Sequence, residues 1–185
     1  FKMEKILKYP KIAVQTIQNQ FVYITDITGR AFFLFLILSI MTMLWQTIYG
    51  ESSGSDGFTL NAMIWYLIMT ECISLSGQAV YRNVSQDVKT GEIAYLLNKP
   101  YHYVFYQFSI YWGGTLVALG FNFLLATVIG LIYVGPLQTF SIPGLMWTLG
   151  FMVVGLCLDF FIQFCLALSA FWVEENDPFR WIYQK

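Results

Sequence analysis

Two acids, Glu71 and Asp159, stand inside long apolar runs. A carboxylate buried at the middle of a membrane helix costs at least about 2.5–3.5 kcal/mol. Neither run contains a Lys or Arg to pair with it. Each acid must therefore be protonated, hydrogen-bonded to neighbours such as Thr70, Ser74 or Gln163, or open to water. As wetted groups they would line a translocation cavity, and as titrating groups they would carry protons. As neutral groups they would be structural hydrogen-bonding partners, a reading that Ser74, Ser76 and Gly77 favour for Glu71. Near them in character are the aromatics Tyr106, Tyr111 and Trp112, which would offer an amphiphilic or sugar-bearing substrate a surface. The bland alternative is lipid contact and helix packing, since 19% of the chain is aromatic.

Other chemistry is hard to place. There is no G-x-x-x-x-G-K-[ST] run to cradle a nucleotide, no G-x-S-x-G, no H-E-x-x-H and no CxxC. The lone histidine, His102, follows Pro100 and Tyr101 at the end of an apolar run and reads as an interfacial anchor. Cys72, Cys157 and Cys165 lie within apolar runs, so free buried thiols are expected rather than disulfides or a zinc site. Asn83-Val84-Ser85 fits the glycosylation pattern but falls on the inner side in the topology below.

The stretch Arg82–His102, RNVSQDVKTGEIAYLLNKPYH, is too long for a simple turn. Val88, Ile93, Leu96 and Leu97 intersperse with Asp87, Lys89, Glu92 and Lys99, Gly91 interrupts the pattern, and Pro100 restarts the chain. A short amphipathic helix here would present Ile93, Leu96 and Leu97 as an apolar knob to a soluble partner, with Glu92 meeting its polar rim. The bland alternative is a helix that binds only lipid.

Four apolar spans position these groups: about 31–49, 61–81, 103–134 and 145–173. The first is about 28 Å of helix, close to a hydrocarbon core of about 30 Å. The last two are longer, about 48 and 43 Å, and must tilt, kink or begin in the interface. GPLQTFSIPG, with two prolines, separates them. Gly113, Gly114 and Gly120 are places for the third span to bend or be approached, and Gly114/Ala118 and Ala126/Gly130 have the small-residue spacing of close helix packing. Before the spans, residues 1–30 carry Val14, Ile17, Phe21 and Ile24 on one stripe, with Gln15, Gln18, Asn19 and Gln20 off it. That pattern fits an amphipathic helix lying on the cytoplasmic leaflet, or a helix packed on another protein.

The resulting fold class is an all-α integral membrane protein. Only 11% of the chain is charged and 57% is hydrophobic, with mean hydropathy +0.60, whereas soluble domains carry about 25% charged residues. Threading the spans puts Lys2, Lys5, Lys8, Lys11, Arg30, Arg82, Lys89, Lys99, Arg180 and Lys185 on one face, leaving Glu51 and Asp56 on the other. Positive flanks stay inside, so both ends are expected to be cytoplasmic. The first 30 residues show no cleavable signal peptide. With a net charge of −1 and its bases spread along one membrane face, the chain carries no nucleic-acid signature.

The order of basic amphipathic helix, two spans, then V-x-x-G-E-I-A-x-L-L-x-x-P (Val88–Pro100) and a long aromatic-rich third span resembles the permeases of type-2 ABC exporters. AFWVEENDPFRWIYQK (170–185) resembles the region after the fourth span in the branch of ABC-2 family transporter proteins. The resemblance implies six spans, of which the last two are absent here, and pairing with a second permease subunit, identical or homologous. It also implies a separate ATPase that holds ATP and Mg, with no cofactor in this chain, and docking of Gly91, Glu92, Ile93, Leu96, Leu97 and Pro100 on that ATPase. A location among the lipids of a bacterial plasma membrane is implied as well. The expected function is that of a non-catalytic permease subunit of an ATP-driven exporter, with Glu71, Asp159, Tyr111 and Trp112 as candidate path residues. The rival from another class is an ion-coupled carrier using Glu71 and Asp159 as proton sites. An intramembrane enzyme or a purely structural subunit is a third reading, without a nucleophile–base or metal pairing to support it.

Overall fold

Apolar runs punctuated by glycine, proline and short polar breaks fold into helices. A computed structural model describes residues 8–22, 24–51, 59–136, 141–173 and 177–183. These form α1 (Lys8–Val22), α2 (Ile24–Glu51), α3 (Leu60–Ser76), α4 (Val80–Lys89), α5 (Glu92–Leu97), α6 (Tyr103–Tyr133) and α7 (Ile142–Leu168). A 3-10 turn (Ser169–Phe171) and α8 (Asp177–Tyr183) follow, and no strand occurs among the described residues. Lys2, Lys5, Lys185, the loop segment 52–58 with Asp56, and residues 137–140 lie outside them, as do the side chains of Arg30, Glu51 and Arg180.

Tyr103–Tyr133 and Ile142–Phe171 are long and apolar enough to cross a membrane, and Phe32–Ile48 is a shorter apolar helix. Several expected boundaries shift. The second apolar run ends at Ser76 rather than 81: residues 77–79 leave the helix, and the chain restarts as α4. Residues 82–102 are thus largely two helices, because Val80, Tyr81, Val84 and Ser85 supply α4 with a buried face. α2 begins seven residues before Ala31, and α7 begins at Ile142 rather than 145. Pro143 is tolerated there because a first-turn N–H has no intrahelical acceptor to lose.

The chain divides into two compact units. Unit 2, residues 20–76 and 116–151, packs α2 on α3. Leu34 and Leu38 meet Ile64, Trp65, Ile68 and Cys72, with Ala126 and Ile129 of α6 in the same core. Ala126 is fully buried, and a Cβ at Gly130 would lie 2.6 Å from Ile68 Cδ1, so this small-residue pair does pack closely. At the end of α6, Gly135 adopts φ +81°, the left-handed geometry glycine takes at helix ends. Its carbonyl accepts from Trp65 Nε1 at 3.2 Å, and Asn61 Nδ2 donates to the carbonyls of Val134 and Pro136. Carbonyls that the helix leaves unpaired are thereby satisfied.

Unit 1 comprises residues 1–19, 77–115 and 152–185. There α1 runs beside the start of α6. Tyr9 packs against Phe105, with ring centres 5.6 Å apart and the planes tilted, and its hydroxyl accepts the His102 backbone N–H at 3.1 Å. Further along, a Cβ at Gly113 would sit 2.7 Å from the Ala13 carbonyl. α6 is continuous through Gly113, Gly114 and Gly120. The first two are approached by Ala13/Thr16 and by Gln78, and nothing lies within 4 Å of the third. The expected stripe on α1 is out of phase with this packing. Ile12, Ala13, Thr16 and Ile17 are partly covered, while Val14 and Phe21 remain exposed.

Candidate functional site

The segment following α4 owes its shape to one residue. Gly91 has φ +74°, a conformation that costs side-chain-bearing residues roughly 1–2 kcal/mol. The Thr90 and Gly91 N–H groups close α4 onto the Gln86 and Val88 carbonyls, and the Ala94 N–H returns to Gly91. α5 then begins immediately, with Glu92 in its first turn, where a carboxylate offsets the positive end of the helix dipole.

The orientation of α5 corrects the expected apolar knob. Ile93 and Leu96 are 8% and 6% exposed and face into the protein, while Leu97 is 62% and Tyr95 67% exposed. In a six-residue helix only one side can be covered, and the i, i+3 pair Ile93/Leu96 takes it. The outward face is Glu92, Tyr95 and Leu97, flanked by exposed Pro100. Lys99 Nζ lies 4.8 Å from the Tyr95 ring centre and 5.9 Å from that of Tyr101, which stacks on Tyr106. Desolvation acts to lower the Lys99 pKa, while a side-chain hydrogen bond to Tyr101 and the nearby Tyr95 and Tyr106 raise it; the net direction is upward.

Behind this face lie two carboxylate clusters of one design. In the first, Tyr103 Oη and Gln107 Nε2 donate to Asp87 Oδ2 at 2.6 and 3.0 Å, and Gln107 Nε2 also donates to Tyr103 Oη at 3.1 Å. In the second, Tyr111 Oη and Gln163 Nε2 donate to Asp159 Oδ2 at 2.9 and 2.8 Å. Gln163 Oε1 in turn accepts the Tyr81 N–H at 3.3 Å. A Tyr and a Gln on one carboxylate oxygen give a half-buried acid two donors without a base. The second cluster is walled by Phe108 and Phe160, whose ring centres are 5.0 Å apart, and by Trp112 beside Phe108.

The path residues proposed from sequence therefore divide. Asp159, Tyr111 and Trp112 come together in unit 1, with Tyr111 1% exposed. Glu71 lies in unit 2, half-buried on α3, and makes no hydrogen bond among the described residues. Beside it in sequence, Cys72 donates to the Asn122 carbonyl at 3.5 Å, Asn122 Nδ2 donates to Ser76 Oγ at 3.1 Å, and Ser76 Oγ donates to the Cys72 carbonyl. Cys72 is buried, Cys157 half-buried and Cys165 exposed, all three free.

Sequence reasoning did not single out Asp87, Tyr103, Gln107 or Asn122 as a cluster. A signal existed in the i, i+4 spacing of Tyr103/Gln107 and of Asp159/Gln163, which puts each pair on one helix face. Their partners Asp87 and Tyr111 come from other helices. Among the described residues no group of three or more His, Cys, Asp or Glu side chains could hold a metal ion.

Compared with protein-family models, residues 34–184 match the family described as ABC-2 family transporter protein. No curated protein and no solved structure matches the chain.

Proposed function

The chain belongs to the ABC-2 family of transporter proteins, and on that premise we propose that it is the permease subunit of an ATP-driven exporter whose ATPase is a separate chain. The observation that carries this reading is α5: a helix set off by a left-handed glycine, with Glu92, Tyr95, Leu97 and Pro100 turned outward. Exposed aromatic and aliphatic anchors beside a charge are what a groove on a soluble partner recognises. Movement of that partner on ATP hydrolysis would reach the spans through α5 and α4. Each end state must bind nucleotide differently, or ATP could not shift the equilibrium.

In this reading α2, α3, α6 and α7 are the four spans, the ten bases face the cytoplasm, and a second permease copy or homologue completes the path. Helix lengths then set depths. Tyr111 lies about 33 Å along α6 from Tyr133, and Asp159 about 26 Å along α7 from Ile142. Against a hydrocarbon core of about 30 Å, this cluster sits near the cytoplasmic boundary. That placement eases the cost of the Asp159 carboxylate and favours a structural clamp for it. Glu71, about 16 Å from the outer end of α3, is at mid-depth. A half-buried acid there, whose side chain makes no hydrogen bond among the described residues, is the observation that keeps the proton-coupled carrier as second reading.

Copurification separates the two. Full-length protein, extracted in mild detergent, should bring with it an ABC ATPase, and transport should need ATP hydrolysis. Transport driven by a proton gradient in the absence of ATP would favour the carrier and refute the exporter.

A further inference from the structure

Asp87, Tyr103 and Gln107 have no part in docking or in the path as described, yet they form a closed hydrogen-bonded cluster in unit 1. Gln107 Nε2 lies 3.0 Å from Asp87 Oδ2 and 3.1 Å from Tyr103 Oη, donating toward both, and the single Tyr103 hydroxyl hydrogen goes to Asp87 Oδ2 at 2.6 Å. The carboxylate oxygen only accepts, the hydroxyl both donates and accepts, and the three groups close a ring. Tyr103 and Gln107 are 5% and 4% exposed and Asp87 is half-buried, which limits water as a competing partner for the two donors. Asp87 sits in the last turn of α4, just before Gly91 and α5, and its two donors occupy the first two turns of α6.

We propose that Asp87, Tyr103 and Gln107 are positioning residues: a latch that ties the end of α4 to the start of α6, so that displacement of α5 is delivered to α6. This rests on the ATPase-coupled reading above. The physical need is plain. From Asn98 to His102 the α5–α6 link is a turn without helix, so pushing on α5 could be absorbed there by backbone rotation. The hydrogen-bonded ring joins α4 to α6 and so bypasses that compliant link, while α5 is tied back to α4 by the short hydrogen-bonded turn at Thr90 and Gly91. Tyr103 also packs against Phe164, at 6.2 Å between ring centres, which holds its hydroxyl, the donor to Asp87, in place.

The test uses full-length protein in lipid nanodiscs with the ATPase that copurifies with it, followed by amide hydrogen exchange with and without trapping by MgATP and orthovanadate. Trapping the wild-type complex should change exchange in both residues 92–97 and 103–115. In Asp87→Ala the change at 92–97 should persist while that at 103–115 falls at least fivefold. Asp87→Asn, whose amide oxygen still accepts both donors, should restore it to within twofold. Tyr103→Phe, which deletes one hydroxyl and keeps the ring, should give an intermediate loss and covers the case in which Asp87→Ala does not fold. A response at 103–115 unchanged in both Asp87→Ala and Tyr103→Phe would overturn the latch. So would equal loss at 92–97 and 103–115, which describes a scaffold rather than a transmitter. Failure of the wild type to retain any ATPase would instead remove the exporter reading. In that event equal exchange at residues 84–97 in wild type and Asp87→Ala, without nucleotide, would reject the latch itself.

Discussion

At the scale of single residues, a carboxylate is decided by what donates to it. Asp159 accepts from Tyr111 and Gln163, so removing it strands two donors. Asp159→Ala should destabilise the protein by about 1–3 kcal/mol, the cost of leaving buried polar groups unpaired. Asp159→Asn, which keeps an accepting oxygen, should stay within about 1 kcal/mol of wild type; thermal unfolding in detergent reads both. If Asp159→Asn folds normally and loses transport, the charge itself is used and Asp159 belongs to the path. The docking face gives a second contrast. Tyr95→Ala with Leu97→Ala removes exposed anchors and should weaken ATPase binding by on the order of thirtyfold, about 2 kcal/mol, without changing the unfolding temperature. Leu96→Ala, cutting a side chain only 6% exposed, should do the opposite, lowering stability by about 2–5 kcal/mol. Titration calorimetry beside melting curves distinguishes them.

At the scale of elements, close approach matters more than propensity. The space for a Cβ at Gly113 is occupied by the Ala13 carbonyl oxygen at 2.7 Å, a backbone atom that cannot rotate away, whereas nothing lies within 4 Å of Gly120. Gly113→Ala should therefore lift α1 from α6, seen as faster proteolysis within residues 8–22, and Gly120→Ala should leave the digestion pattern unchanged. The same logic decides which side of α1 is covered. Its covered side is chosen by what can nestle against Gly113, so small Ala13 and Thr16 face inward while Val14 and Phe21 are left outside. Those exposed groups suit the headgroup region in which an amphipathic helix lies.

At the scale of the whole molecule, the proposed topology rests on the ten bases and is testable by labelling. Single cysteines at positions 55 and 138, placed in a variant with Cys72, Cys157 and Cys165 replaced, should react with an impermeant maleimide applied from outside, and one at position 89 should not. Labelling at 89 from outside intact cells would reverse the orientation and with it the cytoplasmic placement of α5. Uncovered apolar surface agrees with a lipid environment: Met146, Trp147 and Phe151 of α7 are 70%, 69% and 70% exposed, which water would not tolerate over so long a helix.

The helices and the membrane character of the chain were legible from one dimension, because hydropathy and charge act through solvent and lipid and need no knowledge of neighbours. So was the break at Gly91, where glycine and the pattern around it announce a turn. Family membership was carried by the short run from Val88 to Pro100, and the match over residues 34–184 bears it out. What tertiary structure decided was which side of each helix is covered and which polar groups meet. Ile93, Leu96 and Leu97 are equally apolar in sequence, yet only packing could turn the first two inward and leave Leu97 out. Asp87 and Tyr103 are separated by sixteen positions, and Tyr111 and Asp159 by forty-eight. Such pairs depend on the mutual placement of helices, a property of the packed chain that no local pattern of residues contains.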